Sequence, residues 1–443
     1  MKPSRSPRPA VPVGIAALML ALAVPAPALA AQAEQAGGHT LPADTRFYVE
    51  PDSDAAKQAV RDLLAHNVSE AAAMARLATW PQAHWFTGGT PAEVEEQTRT
   101  LVRRAAATGT VPVLVAYNIP LRDCSQYSSG GAQSDAEYRD WISALARGIG
   151  RSKAVVVVEP DGLANLPSDC SPTSDPTGAL TAGRIADLRY AVDALAQQPN
   201  SVVYLDAGNS RWHGVGAIAQ RLQQAGIEHA QGFSLNVSNF LSTDRSDRYG
   251  TWISDCLWFA TKGPEWARGH ADWCASQYYS PAAPNDGQPG NAVDVEDPAT
   301  WHWTDDWFRQ NVGTPPLNEL THFVVDTSRN GKGSWTPPAG KYEGDPQVWC
   351  NPPGRGIGDR PTAATGTPLV DAYLWIKTIG QSDGQCNRNI PGGTVDPEYG
   401  IVDPAAGAWW PEQALTLVRN ATPALTFAPW TRPRLPGSAD QGS

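Results

Sequence analysis

Beyond its first thirty residues the chain has no apolar run long enough to cross a bilayer, so no membrane-spanning helix is expected. It is also short of positive charge. Lys and Arg number 34 against 45 Asp and Glu, a formal net charge of −11. Such a surface repels nucleic acid and anionic lipid, and neither is expected as a partner. No CxxC pair occurs among the six cysteines and the eight histidines are scattered, so no metal site is expected. There is no GxSxG elbow, no HExxH and no Walker loop. The glycines of "GRGIG" (354–358) follow "WCNPP" rather than a strand, so they do not point to a nucleotide, and no cofactor is expected. Internal repeats and low-complexity linkers are absent as well, leaving one large folded domain and no second module.

What is present begins with an export signal. Lys2, Arg5 and Arg8 precede an apolar run from Val13 to Val24, and small residues follow at Ala28-Leu29-Ala30. Residues 1–30 are therefore expected to be a signal peptide and the mature protein to be secreted. Their loss removes three basic and no acidic residues, taking the net charge from −11 to −14. Export makes disulfides available, and the cysteines are even in number: Cys124, Cys170, Cys256, Cys274, Cys350 and Cys386. Their pairing stays open at this point. Residues 31–43 read as a flexible N-terminal segment, 44–428 as the folded domain and 429–443 as a disordered tail.

Within that domain, short β-branched or aromatic runs end in polar residues: "RFYVEP" (46–51), "VPVLVAYNIP" (111–120), "AVVVVEPDG" (154–162), "SVVYLDAGN" (201–209), "GFSLNVSNF" (232–240), "HFVVDTSRNG" (322–331) and "DAYLWIK" (371–377). Between several of them lie helical spacings, over 91–108 opened by Thr90 and Pro91, over 134–149 opened by Ser134, and over 181–197. Near-continuous apolar strands alternating with helices imply a parallel α/β sheet or barrel. Residues 241–315, rich in Trp and holding Cys256 and Cys274, are long for a connection. With the Gly/Pro-rich 384–408 they are expected to be loops covering a site.

In such folds the chemistry sits just past the C-terminal ends of the strands. Here Asp123, Asp161, Asp206, Asp326 with Arg329, and Lys377 with Asp383 all fall there. One carboxylate after a strand is ordinarily a helix cap. Several gathered at one end repel each other and lose hydration, which a fold tolerates where it uses them. Trp85, Trp212, Trp349 and Trp375 lie near the same ends among 17 tryptophans. Flat indoles beside a few placed polar groups fit a sugar cleft.

Seven ordered segments carry a resemblance: "YNIPLRDC" (117–124), "VEPDGLANL" (158–166), "YLDAGNSRW" (204–212), "NVSNF" (236–240), "DTSRNG" (326–331), "WCNPPGRGIG" (349–358) and "LWIKTIGQSDG" (374–384). Together they resemble glycoside hydrolase family 6, the inverting β-1,4-glucanases. The likeness runs from about residue 44 to 425. It implies a distorted TIM-like parallel barrel with fewer closed strands than eight and long covering loops. It also implies a cellulase acting as a monomer on cellulose or another β-1,4-glucan.

Residue by residue, the resemblance makes Asp161 the general acid, Asp123 the neighbour that keeps its proton affinity high, and Asp383 the base or the organiser of a water chain. Tyr117 would sit beside the distorted sugar. Asp206 with Trp212, and Arg329 with Lys377, match positions that bind sugar or hold the acidic cluster, and Trp85, Asn209, Asn239, Trp349 and Gln381 are further candidates for binding sugar. The implied disulfides are Cys124–Cys170 and Cys350–Cys386, which leaves Cys256 and Cys274 as a third pair in the insert. Two departures stand out. Asn209 replaces a His often found in the family, and Gln381 replaces a carboxylate. "NPPGRG" and a cysteine shortly after "SDG" resemble the endoglucanase branch, with chain-end cutting by a cellobiohydrolase as the rival mode. A rival of another class is a secreted carbohydrate-binding protein with a dead site.

The residues support this independently. Inversion needs a protonated carboxyl on the leaving oxygen and a base for water on the opposite face. Asp161, leaving a four-valine strand with Asp123 nearby, gains both desolvation and a like charge, and each raises a carboxyl's proton affinity. Glu159 is expected instead to anchor structure through a basic residue.

Overall fold

The computed structural model describes residues 41–171, 173–280 and 293–429. The expected signal peptide, the 31–40 part of the N-terminal segment, residues 430–443 of the tail and positions 281–292 of the insert lie outside the described residues. Seven strands run in sequence order across one sheet: β1 (His84–Phe86), β2 (Val113–Ala116), β3 (Ala154–Val158), β4 (Ser201–Asp206), β5 (Gly232–Leu235), β6 (His322–Asp326) and β7 (Val370–Leu374). Every neighbouring pair is parallel, and the sheet curls into a half-barrel. Main-chain and indole bonds tie its two edges. The Ala83 N–H donates to the Trp375 carbonyl (2.9 Å), and Trp85 Nε1 donates to the Ile376 carbonyl (2.8 Å).

The strand residues sort by parity. Val155 and Val157 join Val113, Val115, Val202 and Tyr204 in the barrel interior, while Val156 and Val158 face the surrounding helices with Leu114, Val203 and Leu205. All four valines of β3 are fully buried. Removing each from water contributes about 1.5–3 kcal/mol, which fixes the register of the strand that delivers Asp161.

The helices begin where capping chemistry places them. Thr90 and Glu93 form a reciprocal capping box ahead of Pro91–Ala107, and Ser134 caps Asp135–Ile149. A third helix spans Ala179–Ala196.

Three expectations are corrected. The first edge strand is His84–Phe86 and not 46–51: "HWF" is too short to register as a run, and Phe47 makes only an isolated parallel bridge to Val111. The described part of 241–315 is largely crossover between β5 and β6. It holds the 19-residue helix Thr243–Thr261 and the helix His302–Asn311, with Trp252, Phe259 and Trp301 buried. Trp252 and Trp301 are buried there and Trp258 and Trp307 pack half-buried against the core, and that is why aromatic density alone misreads the segment as covering loop. Trp375 belongs to a satellite core with Trp80 and Leu417. By contrast, 384–408 contains no helix and no strand.

Three disulfides form, Cys124–Cys170, Cys256–Cys274 and Cys350–Cys386. Among the described residues no helix is long and apolar enough to cross a membrane.

Candidate active site

At the end of β3 the chain leaves regular geometry abruptly. Glu159 (φ 47°) and Asp161 (φ 67°) both adopt left-handed backbone that L-residues disfavour by about 1–2 kcal/mol each. The turn aims the two carboxylates apart. Glu159 accepts from the main-chain N–H of Asn118 (3.0 Å) and of Ile119 (3.1 Å) and is fully buried. Its anchor is therefore a pair of backbone amides rather than a basic side chain, which corrects the expectation. Asp161 is instead presented to a cleft of about 340 Å³. Its N–H donates to Asp206 Oδ1 (3.0 Å), and among the described residues no group donates to its carboxylate.

Other buried groups hold this turn in place. Arg184 Nη1 binds the Gly162 carbonyl (3.0 Å) and Nη2 the Leu121 carbonyl (3.1 Å), clamping the loops after β2 and β3 together. The Cys124–Cys170 disulfide ties the same two loops. Asp123, also at positive φ, accepts the Ser128 N–H (2.8 Å). Gly208 is required for another reason. With φ +67° and a hypothetical Cβ only 2.6 Å from the Trp212 ring, its lack of a side chain lets that indole lie across the β4 exit.

The cleft brings together Asp161, Asp123, Asp383 and Tyr117 with Trp85, Trp212, Trp349, Asn239 and Lys377. Tyr117 meets Trp85 edge-to-face at 5.2 Å. Four residues of the expected set lie outside the lining. Asp206 is fully buried, accepting from Asp161, Gly208 and Ser234. Buried Asn209 accepts the Arg211 N–H (2.9 Å), and buried Arg329 pairs with Asp383. Gln381 bridges to Trp409 in the main chain. Sequence reasoning missed His213, Ser128 and Asn165 as cleft residues. The signal was adjacency, since each lies inside or within five positions of a quoted segment.

Electrostatics split the carboxyls. Burial drives the Asp161 carboxyl well above its usual range, and the negative charges of Asp206 and Asp123 push it further. Asp206 itself is raised to about 6, chiefly by burial. Asp123 is raised by burial as well. Asp383 goes the other way. Burial alone would raise it, but Arg329 Nη1 (2.9 Å) and Lys377 Nζ (3.2 Å) hold it below the ordinary value. One side of the cleft thus offers a proton and another a fixed negative charge, which is the division of labour acid–base hydrolysis requires.

A curled parallel sheet with a proton-holding Asp and an ion-paired Asp at its C-terminal mouth, among exposed indole faces, has the layout of a glycoside hydrolase. Comparison with known proteins narrows this. The profile of "Glycosyl hydrolases family 6" matches residues 42–421, and the chain belongs to that family. It is 34% identical over 376 residues to endoglucanase A of Cellulomonas fimi, covering 85% of this chain and 61% of that protein's length. It is 33% identical over 341 residues to endoglucanase 1 of Streptomyces halstedii, covering 77% and 82% respectively. Among solved structures, an endoglucanase of Mycobacterium tuberculosis in complex with methyl-cellobiosyl-4-deoxy-4-thio-β-D-cellobioside aligns with TM-score 0.61 and 34% identity. That alignment covers 86% of this chain and 99% of the other.

Proposed function

We propose that the chain is a secreted, monomeric endo-β-1,4-glucanase that hydrolyses internal bonds of cellulose or a related β-glucan with inversion. The observation that carries this reading is the contrast between the two carboxyls of one cleft lined by Trp85, Trp212 and Trp349. Asp161 is packed near Asp206 and Asp123 with no cation among the described residues bonded to it, whereas Asp383 is ion-paired with Arg329 and Lys377. Asp161 donates its proton to the glycosidic oxygen as the bond to the anomeric carbon breaks. Water attacks that carbon from the opposite face, and its proton passes to Asp383, directly or through further water. Asp123 and Asp206 keep Asp161 protonated. Tyr117, braced against Trp85, crowds the sugar at the cleavage point. The endo mode rests on likeness to proteins named endoglucanases.

A second reading, cellobiohydrolase action at chain ends, draws support from contact between rim loops. Gln347 Nε2 donates to the Tyr127 hydroxyl (3.1 Å), and the Tyr127 ring lies 6.0 Å from that of Trp349. Viscosity against reducing-sugar release on soluble cellulose separates the modes, since internal cutting lowers viscosity early and chain-end cutting barely does. NMR of the first-formed anomer tests inversion. An initial α product is expected, and an initial β product refutes the mechanism. No turnover at all would leave only a carbohydrate-binding protein.

A further inference from the structure

Asp383 is fixed by more than its two cations. The Asn351 N–H donates to Asp383 Oδ2 (3.0 Å), and the Asp383 N–H returns a bond to Asn351 Oδ1 (2.8 Å). Asn351 Nδ2 is shared among Ser382 Oγ (3.0 Å), the Gly384 carbonyl (2.9 Å) and Asp403 Oδ2 (2.8 Å), so the side chain braces the residues on both sides of Asp383. Gln413 Nε2 donates to the same Oδ1 (2.9 Å). The Asn351 carbonyl accepts from Arg388 Nη2 (3.0 Å) and the Tyr399 hydroxyl (3.1 Å). Asn351 is 1% exposed, sits at φ 40° where Asn is tolerated better than most residues, and does not line the cleft. Its neighbour Cys350 is bonded to Cys386, two residues past Gly384.

The oxygens of Asp383 are not equivalent in this arrangement. Oδ2 is taken by Arg329 Nη1 and the Asn351 N–H, whereas Oδ1 meets Lys377 alone. We infer that Asn351 is a positioning residue for the reaction: by its reciprocal bonds it holds Asp383 Oδ2 inward and leaves Oδ1 as the oxygen that handles water. Every polar atom of Asn351 is bonded and the residue is buried, the condition under which a polar side chain is held in one geometry rather than several. The inference rests on the role of Asp383 given above and adds to it a residue outside the cleft.

The test is a double-mutant cycle on cellohexaose hydrolysis with Asn351→Gly, Asp383→Ala and the double variant, each checked for thermal unfolding. Gly keeps the left-handed backbone and removes only the side chain. Loss of orientation by roughly an ångström is worth about 100-fold in rate. The expected result for Asn351→Gly is therefore a kcat lowered about 100-fold with KM little changed, and no further loss when it is added to Asp383→Ala. A merely structural role would add its loss in both backgrounds. Wild-type kcat in Asn351→Gly, or full additivity with Asp383→Ala, overturns the inference while leaving the role of Asp383 intact. Wild-type activity in Asp383→Ala itself removes that role, and the inference with it. If Asn351→Gly does not fold, Asn351→Ser, whose shorter side chain gives up the Oδ1 acceptor for the Asp383 N–H, goes through the same cycle with the same criteria.

Discussion

Replacing Glu159 by Gln should make the protein less sensitive to alkali without abolishing its activity. Glu159 is fully buried and raised to about 7 from an ordinary 4.5, burial being the main cause, opposed by the Asn118 and Ile119 amides. A carboxyl whose folded value is raised contributes most below its unfolded value and loses that contribution as pH rises through the folded value. With these two values the loss reaches about 3 kcal/mol by pH 8, of which about 2.5 kcal/mol falls between pH 5 and pH 8. Gln retains an oxygen for the two amides but cannot ionise. Urea unfolding followed by tryptophan fluorescence at pH 5 and pH 8 measures the difference. The wild-type protein should lose about 2.5 kcal/mol more than Glu159→Gln over that interval. Parallel losses, within about 0.5 kcal/mol of each other, would refute the assignment of that buried charge. Hydrolysis by Glu159→Gln should stay within an order of magnitude of wild type, since this carboxylate faces backbone amides and not the cleft.

Other outcomes follow from the same geometry. Lys377→Met removes one of the two cations beside Asp383, so the acid limb of the kcat profile should move to higher pH, as read from initial rates between pH 3 and pH 8. Trp212→Ala removes a 41% exposed indole from the cleft and should raise KM for cello-oligosaccharides several-fold with little change in kcat for soluble substrate. Replacing Cys350 and Cys386 by Ser opens a loop of 36 residues and should cost about 4 kcal/mol of stability, measured by denaturant unfolding.

The barrel was legible because parallel strands buried on both faces are written as dense β-branched runs, and β3 with its four valines is the clearest instance. The short β1 was not. Three residues carry no period, and its place in the sheet comes from pairing with β2 and from the bonds that Ala83 and Trp85 make across the seam. The insert was misread for a related reason. Aromatic content alone does not distinguish a Trp-rich loop from a helix burying Trp252 against Trp301. The cleft carboxylates were legible as strand-end residues, but their partners were not. That Glu159 turns away from the cleft depends on a positive φ at the two acids on either side of Pro160, which no propensity scale favours. Arg184 and Asn351 act through main-chain carbonyls and amides brought together by the fold, contacts that leave no pattern in the chain.

The central claim is that Asp161 hands its proton to the departing sugar. Comparing Asp161→Ala with wild type on cellohexaose and on an aryl cellobioside whose leaving group needs no protonation tests it most directly. The account predicts a loss of about 10²–10⁴-fold in kcat on cellohexaose and a far smaller one on the activated aryl substrate. Equal losses on both, or full activity on cellohexaose, would contradict it.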